Sequence, residues 1–508
     1  MSNYTERIAK GGFIVLILSL FGSFLGYFLR IYLARNLTVF EFGLFFSVLS
    51  FVGIFSIFKD MGFGLAVARK IPQLKAKGQY SRIKSLIRHF FWIQVGLGLI
   101  IFAFLFLLSD YLAMNFFHDP SASILIKILS AEYIIGFPLF KFTLQGLEKS
   151  RLYSSIEPIR IILIFFFLLS LTAVNAIFVG WSYFIAGLII NILLGIYLLK
   201  IFSKSKNTRI QKKEVDETFR FGLILFAGTL AGVIISYIDV LAITYFKKIE
   251  DVALYQAAFP TAQFLWIFSS AIAIVLLPIV SELWILKKKK TISNSVSILV
   301  KFLFIFLFPL ATILIAFPDL ALSTLFGEAY ASVPAQQTLQ ILSIAAIFYS
   351  VYSLLNTTLI GTGKPEISTK IFIIMTGFAL FLNILLVPWL GIVGAAVATL
   401  VSYAAGFFMA NKAIIKDKIN IKINYLDIGM IFSGGIISIF ITWGIKAVLT
   451  LEPIFESIIS LFIVYVFYIL FLTKIVKVIK KDDIKVLDKI NLPIPKVLIN
   501  LLNKLVRE

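Results

Sequence analysis

The residues of this sequence that could do chemistry are charged side chains placed deep inside long apolar segments. They are Arg30, Glu132, Lys141, Arg160 and Asp239. A charge that faces lipid at the centre of a bilayer costs roughly 2.5–3.5 kcal/mol on insertion scales. Five such charges would cost on the order of 12–17 kcal/mol, which is comparable with the stability of a whole domain. Such charges must therefore face a wet cavity, pair with one another or extend to the head groups. We expect Arg30, Glu132, Lys141 and Asp239 to line a central water-filled cavity.

The chemical types of these side chains indicate an anionic ligand. Guanidinium groups match the geometry of phosphate oxygens, so Arg30, Lys141 and Arg160 predict binding of an amphiphile with a pyrophosphate head and a lipid tail. Asp239 and Glu132 are the acids of the set. We predict that they contribute to substrate binding, and they are also candidates for coupling transport to H⁺ or Na⁺.

The elements that must position these charges are helices that cross a membrane. The chain has 508 residues, of which 60% are hydrophobic and 14% are charged, whereas soluble domains are about 45–50% apolar and about 25% charged. The apolar residues form runs of about 20, the length of a membrane-spanning helix. This pattern predicts an all-α, polytopic membrane protein with about fourteen spans. The predicted spans cover 11–34, 39–60, 89–109, 122–147, 154–173, 177–199, 219–246, 252–282, 293–317, 335–360, 367–388, 391–411, 427–449 and 457–473.

Two halves of the chain resemble each other at an offset of about 210 residues. The motif "EFGLF" recurs as "DVALY", and "TLQGLEKS" recurs as "TLIGTGKP". This repeat predicts two six-helix lobes and two additional helices. The predicted parts are 1–218 with spans one to six, 219–425 with spans seven to twelve, and 426–508 with spans thirteen and fourteen and a basic amphipathic tail. Transporters built from such parallel repeats bind substrate between the lobes and alternate access by rocking.

The fourth predicted span combines Glu132 and Lys141 with Gly136 and Pro138. Glu132 and Lys141 lie on opposite faces of a straight helix, so they do not pair with each other there. Proline removes a helical hydrogen bond and clashes with the preceding turn, so we expect a kink at Pro138. A bent helix of this kind can open and close a cavity.

The fifth predicted span begins with a second pair of opposite charges. Glu157 and Arg160 lie one helical turn apart and share a face. They either neutralise each other or form part of a cavity wall, and both interpretations stay open. Lys127 lies nearer the end of its span, where a lysine can extend to the lipid head groups.

The distribution of positive charge predicts that both termini are cytoplasmic. The net charge is +21, yet with this orientation the outer gaps between spans contain only Arg35, Lys247 and Lys248 among Lys and Arg. Such a bias follows the positive-inside rule for the cell membrane. The basic inner segments 69–89 and 287–290 are expected to face anionic lipids of the inner leaflet rather than nucleic acid. The first apolar run is too long for a cleaved signal peptide, so we expect it to be a span.

Several functional classes are disfavoured by residue content. There is no Cys and there are only two His residues, so we predict no metal site and no cofactor.

The sequence "GTGK" (361–364) lacks the full spacing of a phosphate loop and predicts a turn between two spans. A membrane enzyme, such as an oligosaccharide polymerase or ligase, would need paired acids on large outer loops. We predict that the protein is not an enzyme.

The chain resembles, over its whole length, the Wzx-type polysaccharide flippases of the multidrug/oligosaccharidyl-lipid/polysaccharide exporter superfamily. The resemblance lies in the fourteen-span layout and in "FEFGLFFSVLS", "LQGLEKSRLY", "YIDVLAITYFKKIEDVALYQAAFP" and "PWLGIVGAAVATLVSY". It implies transfer of an undecaprenyl- or dolichyl-pyrophosphate-linked oligosaccharide from the inner to the outer leaflet. It also implies a cationic cavity, to which Arg30 and Lys141 would contribute, and contacts with other glycan-assembly proteins.

Two relatives of these flippases are alternatives. Peptidoglycan lipid flippases share fourteen spans but typically carry arginines in spans two and eight, whereas here span two has only Lys59 at its end and span eight has no cation. Cation- or proton-coupled drug antiporters of the same superfamily usually have twelve spans and more acidic pockets. The two additional C-terminal spans therefore favour a lipid flippase.

Overall fold

The computed structural model describes residues 2–170, 173–206, 208, 211–417, 419, 425–448 and 466–475. Within these residues the chain is helical and has no β-strand, so the all-α prediction is confirmed. The chain divides into two compact units, Met1–Gln256 and Ala257–Glu508. The predicted lobe boundaries at 218 and 425 stay a prediction.

The helices of the first unit carry the candidate site. They are α1 (Ser2–Asn36), α2 (Val39–Ile54), α3 (Ser56–Asp60), α4 (Phe63–Ala76), α5 (Tyr80–Asn115), α6 (Ser121–Ile135), α7 (Pro138–Gly146), α8 (Ser150–Leu169), α9 (Ala176–Ile201), α10 (Lys212–Phe246) and α11 (Ile249–Gln263), which continues into the second unit. The remaining α-helices are α12 (Trp266–Ile285), α13 (Lys289–Ala316), α14 (Pro318–Phe326), α15 (Val333–Gly361), α16 (Pro365–Leu390), α17 (Ile392–Lys416) and α18 (Tyr425–Val448).

The described helices agree with the predicted membrane spans. Among the residues that the structure describes, 12 segments are long and apolar enough to cross a membrane, and they overlap the first twelve predicted spans. α18 covers the predicted thirteenth span. Most of the fourteenth span, 457–473, and the tail beyond 475 lie outside the described residues. The prediction of a polytopic helical membrane protein is confirmed.

Three of the predicted spans are interrupted. Span two divides at Phe55 into α2 and α3, and span eight divides at Phe264–Leu265 into α11 and α12. Span four divides at Gly136–Phe137 into α6 and α7, so the kink predicted from Pro138 is confirmed. The first two interruptions correct the prediction of continuous helices, and neither Pro nor Gly stands at those positions.

Two turns that the predicted repeat relates to each other have the same backbone geometry. Between α7 and α8, Glu148 has a φ of 62°, and between α15 and α16, Gly363 has a φ of 79°. In each turn the N–H of the next residue, Lys149 or Lys364, donates to a carbonyl five positions earlier, at 2.9 and 3.1 Å. The "GTGK" segment is therefore a turn between two helices, as predicted.

The helix starts that follow α1 and α10 also correspond. The Thr38 N–H donates to the Glu41 carboxylate at 3.2 Å, and the Lys248 N–H donates to the Asp251 carboxylate at 3.3 Å. In both halves an acid three residues into the segment satisfies a donor that the helix itself leaves unpaired. The similarity of "EFGLF" and "DVALY" thus corresponds to the same local structure.

An apolar cluster in the first unit fixes the helices that carry the site. Phe63 and Val67 of α4 pack with Phe90 of α5 and with Leu139 and Leu144 of α7. All five side chains are nearly inaccessible to solvent. Because burial of each large side chain contributes about 1.5–3 kcal/mol, this packing holds α7 firmly against α4 and α5.

Candidate functional site

A cavity of about 360 Å³ that contains several charged side chains lies within the first unit. Its walls come from α2, α3, α6, α7, α8, α9 and α10, so residues far apart in sequence meet there. The polar side chains that line it are Ser56, Lys59, Glu132, Tyr133, Lys141, Glu157, Arg160, Asn191 and Tyr237. A cavity with several ionisable groups inside a membrane-spanning unit is a candidate functional site.

The centre of the site is an ion pair between α6 and α8. Nη2 of Arg160 lies 3.2 and 3.3 Å from the two carboxylate oxygens of Glu132. A Cβ atom at Gly187 of α9 would lie 3.1 Å from Glu132 Oε1, so the glycine leaves room for the carboxylate. Glu157 also lines the cavity, and Arg160 pairs with Glu132 instead of with Glu157. The predicted roles of Glu132 in substrate binding and ion coupling stay predictions.

Two cationic side chains in the cavity retain hydrogen-bond donors. The Lys141 ammonium lies 5.3 Å from the centre of the Tyr153 ring, and within the described part of the chain it has no carboxylate partner. Nε of Arg160 is buried and has no hydrogen-bond acceptor among the described residues. Both groups are therefore able to donate to the oxygens of a bound anion.

Arg30 and Asp239 are not among the residues that line this cavity. The Arg30 guanidinium lies 4.6 Å from the centre of the Phe46 ring and donates to Oε1 of Gln256. Asp239 is 8% exposed and accepts a hydrogen bond from the Tyr255 hydroxyl at 2.6 Å. Their functional roles stay predictions.

Lys59 is a cavity residue that the sequence did not predict as a site residue. Its side chain is 1% exposed and its ammonium donates to the carbonyl groups of Tyr133 and Gly136. At the end of a predicted span, a lysine normally extends to lipid head groups. One sequence signal could have predicted that Lys59 is buried. The stretch after Asp60, "MGFGLAVA", is apolar, whereas a lysine that extends to the head groups is normally flanked by polar residues.

The second unit uses charged side chains of its described spans in ion pairs. Lys301 of α13 lies 3.4 Å from Asp427 of α18, and both side chains are mostly buried. Lys364 pairs with Asp417 at the end of α17. Among the described residues no group of three or more His, Cys, Asp or Glu side chains is arranged to hold a metal ion.

Comparison with known sequences identifies the family. Residues 8–284 match the family model described as polysaccharide biosynthesis protein, and residues 225–389 match the MatE model. The uncharacterized membrane protein MJ1068 of Methanocaldococcus jannaschii is 30% identical over 420 residues, which cover 79% of this chain and 82% of that protein. The probable low-salt glycan biosynthesis flippase Agl15 of Haloferax volcanii is 24% identical over 461 residues, which cover 90% of this chain and 93% of that protein.

Comparison with solved structures identifies the fold. The structural alignment with the lipid II flippase MurJ in its inward closed conformation covers 91% of this chain and 100% of the MurJ chain, with a TM-score of 0.73 at 15% identity. The alignment with an inward-facing multidrug resistance MATE family transporter of the MOP superfamily covers 80% of this chain and 99% of the transporter chain, with a TM-score of 0.61 at 15% identity. With its family match over more than half of the sequence, the chain belongs to the polysaccharide biosynthesis protein family. The MatE match agrees with the superfamily that the sequence resemblance predicts.

Proposed function

We propose that this protein is a flippase, and not an enzyme, that moves a prenyl-pyrophosphate-linked oligosaccharide from the cytoplasmic to the outer leaflet by alternating access. Membership of the polysaccharide biosynthesis protein family and similarity to a probable glycan biosynthesis flippase support this class of cargo. The observation that carries the proposal is the cavity in the first unit, where the Lys141 ammonium has no carboxylate partner among the residues that the structure describes.

The charges around the cavity favour an anion. Lys59, Lys141 and Arg160 oppose Glu132 and Glu157, which leaves an excess of positive charge. In a site partly shielded from water, that excess attracts phosphate oxygens more strongly than it would in bulk solvent. The carboxylate of Glu132 keeps the Arg160 guanidinium oriented. The Arg160 Nε–H, which has no acceptor in the described part of the chain, and the Lys141 ammonium then donate to the head group.

The size of the cavity limits which part of the cargo it receives. A volume of about 360 Å³ is at the small end of the range for small-molecule pockets. We therefore assign the cavity to the pyrophosphate head and not to the whole oligosaccharide. A charged group loses its hydration when it leaves water, and this loss is the main barrier to crossing hydrocarbon. Binding of the pyrophosphate head in the cavity replaces part of that hydration.

The proposal is tested by reconstituting the purified protein in liposomes that contain a fluorescent prenyl-pyrophosphate-linked oligosaccharide in both leaflets. A membrane-impermeant quencher reports exchange between leaflets. We expect Lys141→Gln to slow exchange by about tenfold to a hundredfold, because a hydrogen bond to a charged group contributes about 1.5–3 kcal/mol. Lys127→Gln is the matched control, since Lys127 pairs with Asp110 at the surface of the unit and does not line the cavity.

Equal exchange with the wild-type protein and with protein-free liposomes would contradict the proposed function. Equal rates for Lys141→Gln and Lys127→Gln would remove the cavity from the mechanism. Transport of a cationic dye without exchange of the glycolipid would indicate a drug antiporter. Preference for a peptidoglycan lipid precursor would indicate the other flippase class.

A further inference from the structure

The break in span four separates two backbone groups that a continuous helix would pair. Gly136 has φ and ψ of −80° and 116°, and Phe137 has −116° and 95°, so both residues are extended. Pro138 begins α7 and disfavours a helical conformation at the preceding residue. In a continuous helix the Phe137 N–H would donate to the Tyr133 carbonyl, four residues earlier. Each group therefore needs another partner, because an unpaired backbone group inside a membrane is strongly destabilising.

Side chains of two other helices satisfy the N–H groups at this break. The Phe137 N–H donates to Oδ1 of Asn191 in α9 at 2.9 Å. The Leu139 N–H, in the first turn of α7, donates to Oε1 of Gln94 in α5 at 3.4 Å. Nε2 of Gln94 in turn donates to Oδ1 of Asp60 at 2.9 Å. This chain of hydrogen bonds leads from the start of α7 to the residue next to Lys59.

Lys59 satisfies the carbonyl groups on the other side of the break. Its ammonium donates to the carbonyl oxygens of Tyr133 and Gly136 and lies 4.7 Å from the centre of the Phe137 ring. The side chain is almost inaccessible to solvent. A Cβ atom at Gly98 of α5 would lie 2.1 Å from the Tyr133 oxygen and 3.2 Å from Lys59 Nζ, so α5 must have glycine there.

We propose that Lys59 is a positioning residue for the head-group cavity. By holding the carbonyl groups at the break in span four, its ammonium keeps α6 and α7 at the angle that turns Glu132 and Lys141 toward one cavity. In a straight helix these two side chains would lie on opposite faces. The inference rests on the proposed function for the identity of the ligand, but the bend itself can be measured without any ligand.

The first test measures binding of a water-soluble prenyl pyrophosphate to the purified wild-type protein and to Lys59 variants. Lys59→Met keeps an apolar side chain of similar length but removes every donor. We expect it to raise the dissociation constant by about tenfold to a hundredfold, which is the effect of losing one hydrogen bond between a charged group and the ligand when Lys141 is misplaced. Lys59→Arg retains charge and donors and should restore most of the affinity. An affinity of Lys59→Met equal to that of the wild type would overturn the proposal.

The second test separates positioning from direct binding, because Lys59 also lines the cavity. Gly98→Ala displaces the Tyr133 carbonyl without removing any charge, so it should weaken binding to a similar extent if Lys59 acts through the break. Gly96→Ala is the matched control in the same helix, since no atom of the described residues lies within 4 Å of the added carbon. Weak binding by Lys59→Met together with normal binding by Gly98→Ala would show that Lys59 contacts the head group directly, and would overturn the positioning role.

The third test measures the bend between α6 and α7 directly. The chain has no cysteine, so spin labels can be attached to cysteines introduced at the exposed positions Ile124 and Gln145. A straight helix would separate these positions by about 31 Å, at 1.5 Å per residue. We expect Lys59→Met and Gly98→Ala to move the distance distribution toward that value, and Gly96→Ala to leave it unchanged. An unchanged distribution in Lys59→Met would overturn the proposal even if the ligand were not a pyrophosphate.

Discussion

The ion pair between Glu132 and Arg160 makes a quantitative prediction. We consider the variants Glu132→Gln and Arg160→Met and the double variant that combines them. A unit charge pair about 4 Å apart attracts by about 4 kcal/mol at an effective dielectric constant of 20. The side chains are 32% and 25% exposed, so water screens part of this attraction and burial removes hydration from both groups. We therefore expect a coupling free energy of about 1–3 kcal/mol in the double-mutant cycle.

The measurement is reversible unfolding of each variant in detergent micelles, with the free energy of unfolding taken for all four proteins of the cycle. The matched control is a second cycle on Lys127 and Asp110, whose charged groups lie 3.1 Å apart but whose side chains are 32% and 78% exposed. That exposed pair should show a much smaller coupling than the cavity pair. Equal couplings in the two cycles would refute the reasoning, because the charged groups are almost equally far apart in the two pairs and the expected difference comes mainly from shielding from water.

Other features of the described helices give further predictions for the same unfolding measurement. Thr38→Ala removes the side chain that caps α2 and should lower the free energy of unfolding by about 1 kcal/mol, whereas Thr38→Ser should not. Gly363→Ala forces a side chain into a left-handed turn and should destabilise by about 1–2 kcal/mol, while Gly377→Ala in the open interior of α16 should be neutral or stabilising. Lys301→Met leaves the mostly buried Asp427 without that ion pair and should destabilise by about 1–3 kcal/mol. The left-handed turn would be contradicted if Gly363→Ala had no larger effect than Gly377→Ala. A neutral result for Thr38→Ala would contradict the helix cap, and a neutral result for Lys301→Met would contradict the stabilising ion pair.

The spans could be predicted from sequence because each depends on the composition of one continuous segment. The kink at Pro138 was predictable for the same reason, since proline acts on its own helix. The interruptions at Phe55 and Phe264–Leu265 were not, because no residue there has a strong local preference against a helix. They depend on packing with other helices, which hydropathy does not contain.

The candidate site was predictable only as a set of charges, not as a set of partners. Glu132 and Arg160 are both conspicuous in apolar surroundings, but their pairing requires the packing of α6 and α8 around a common cavity. Lys59 was missed because a lysine near the end of a span is normally explained by contact with lipid head groups. Its partners are main-chain carbonyl groups, which become available only where the fourth span is broken.

The broken fourth span also has a consequence for biogenesis. Two of its partners, Arg160 and Asn191, follow it in the sequence and are therefore synthesised after α7. Until Arg160 arrives, Glu132 lacks its ion-pair partner, and Glu132 and Lys141, the two deep charges of the segment, oppose insertion by roughly 5–7 kcal/mol on the translocon scale. The nascent segment must therefore remain close to the translocon, or only shallowly inserted, until α8 and α9 follow. A chain that stops before residue 150 should leave this segment accessible to aqueous thiol reagents at an introduced cysteine, whereas a chain that extends beyond α9 should protect it.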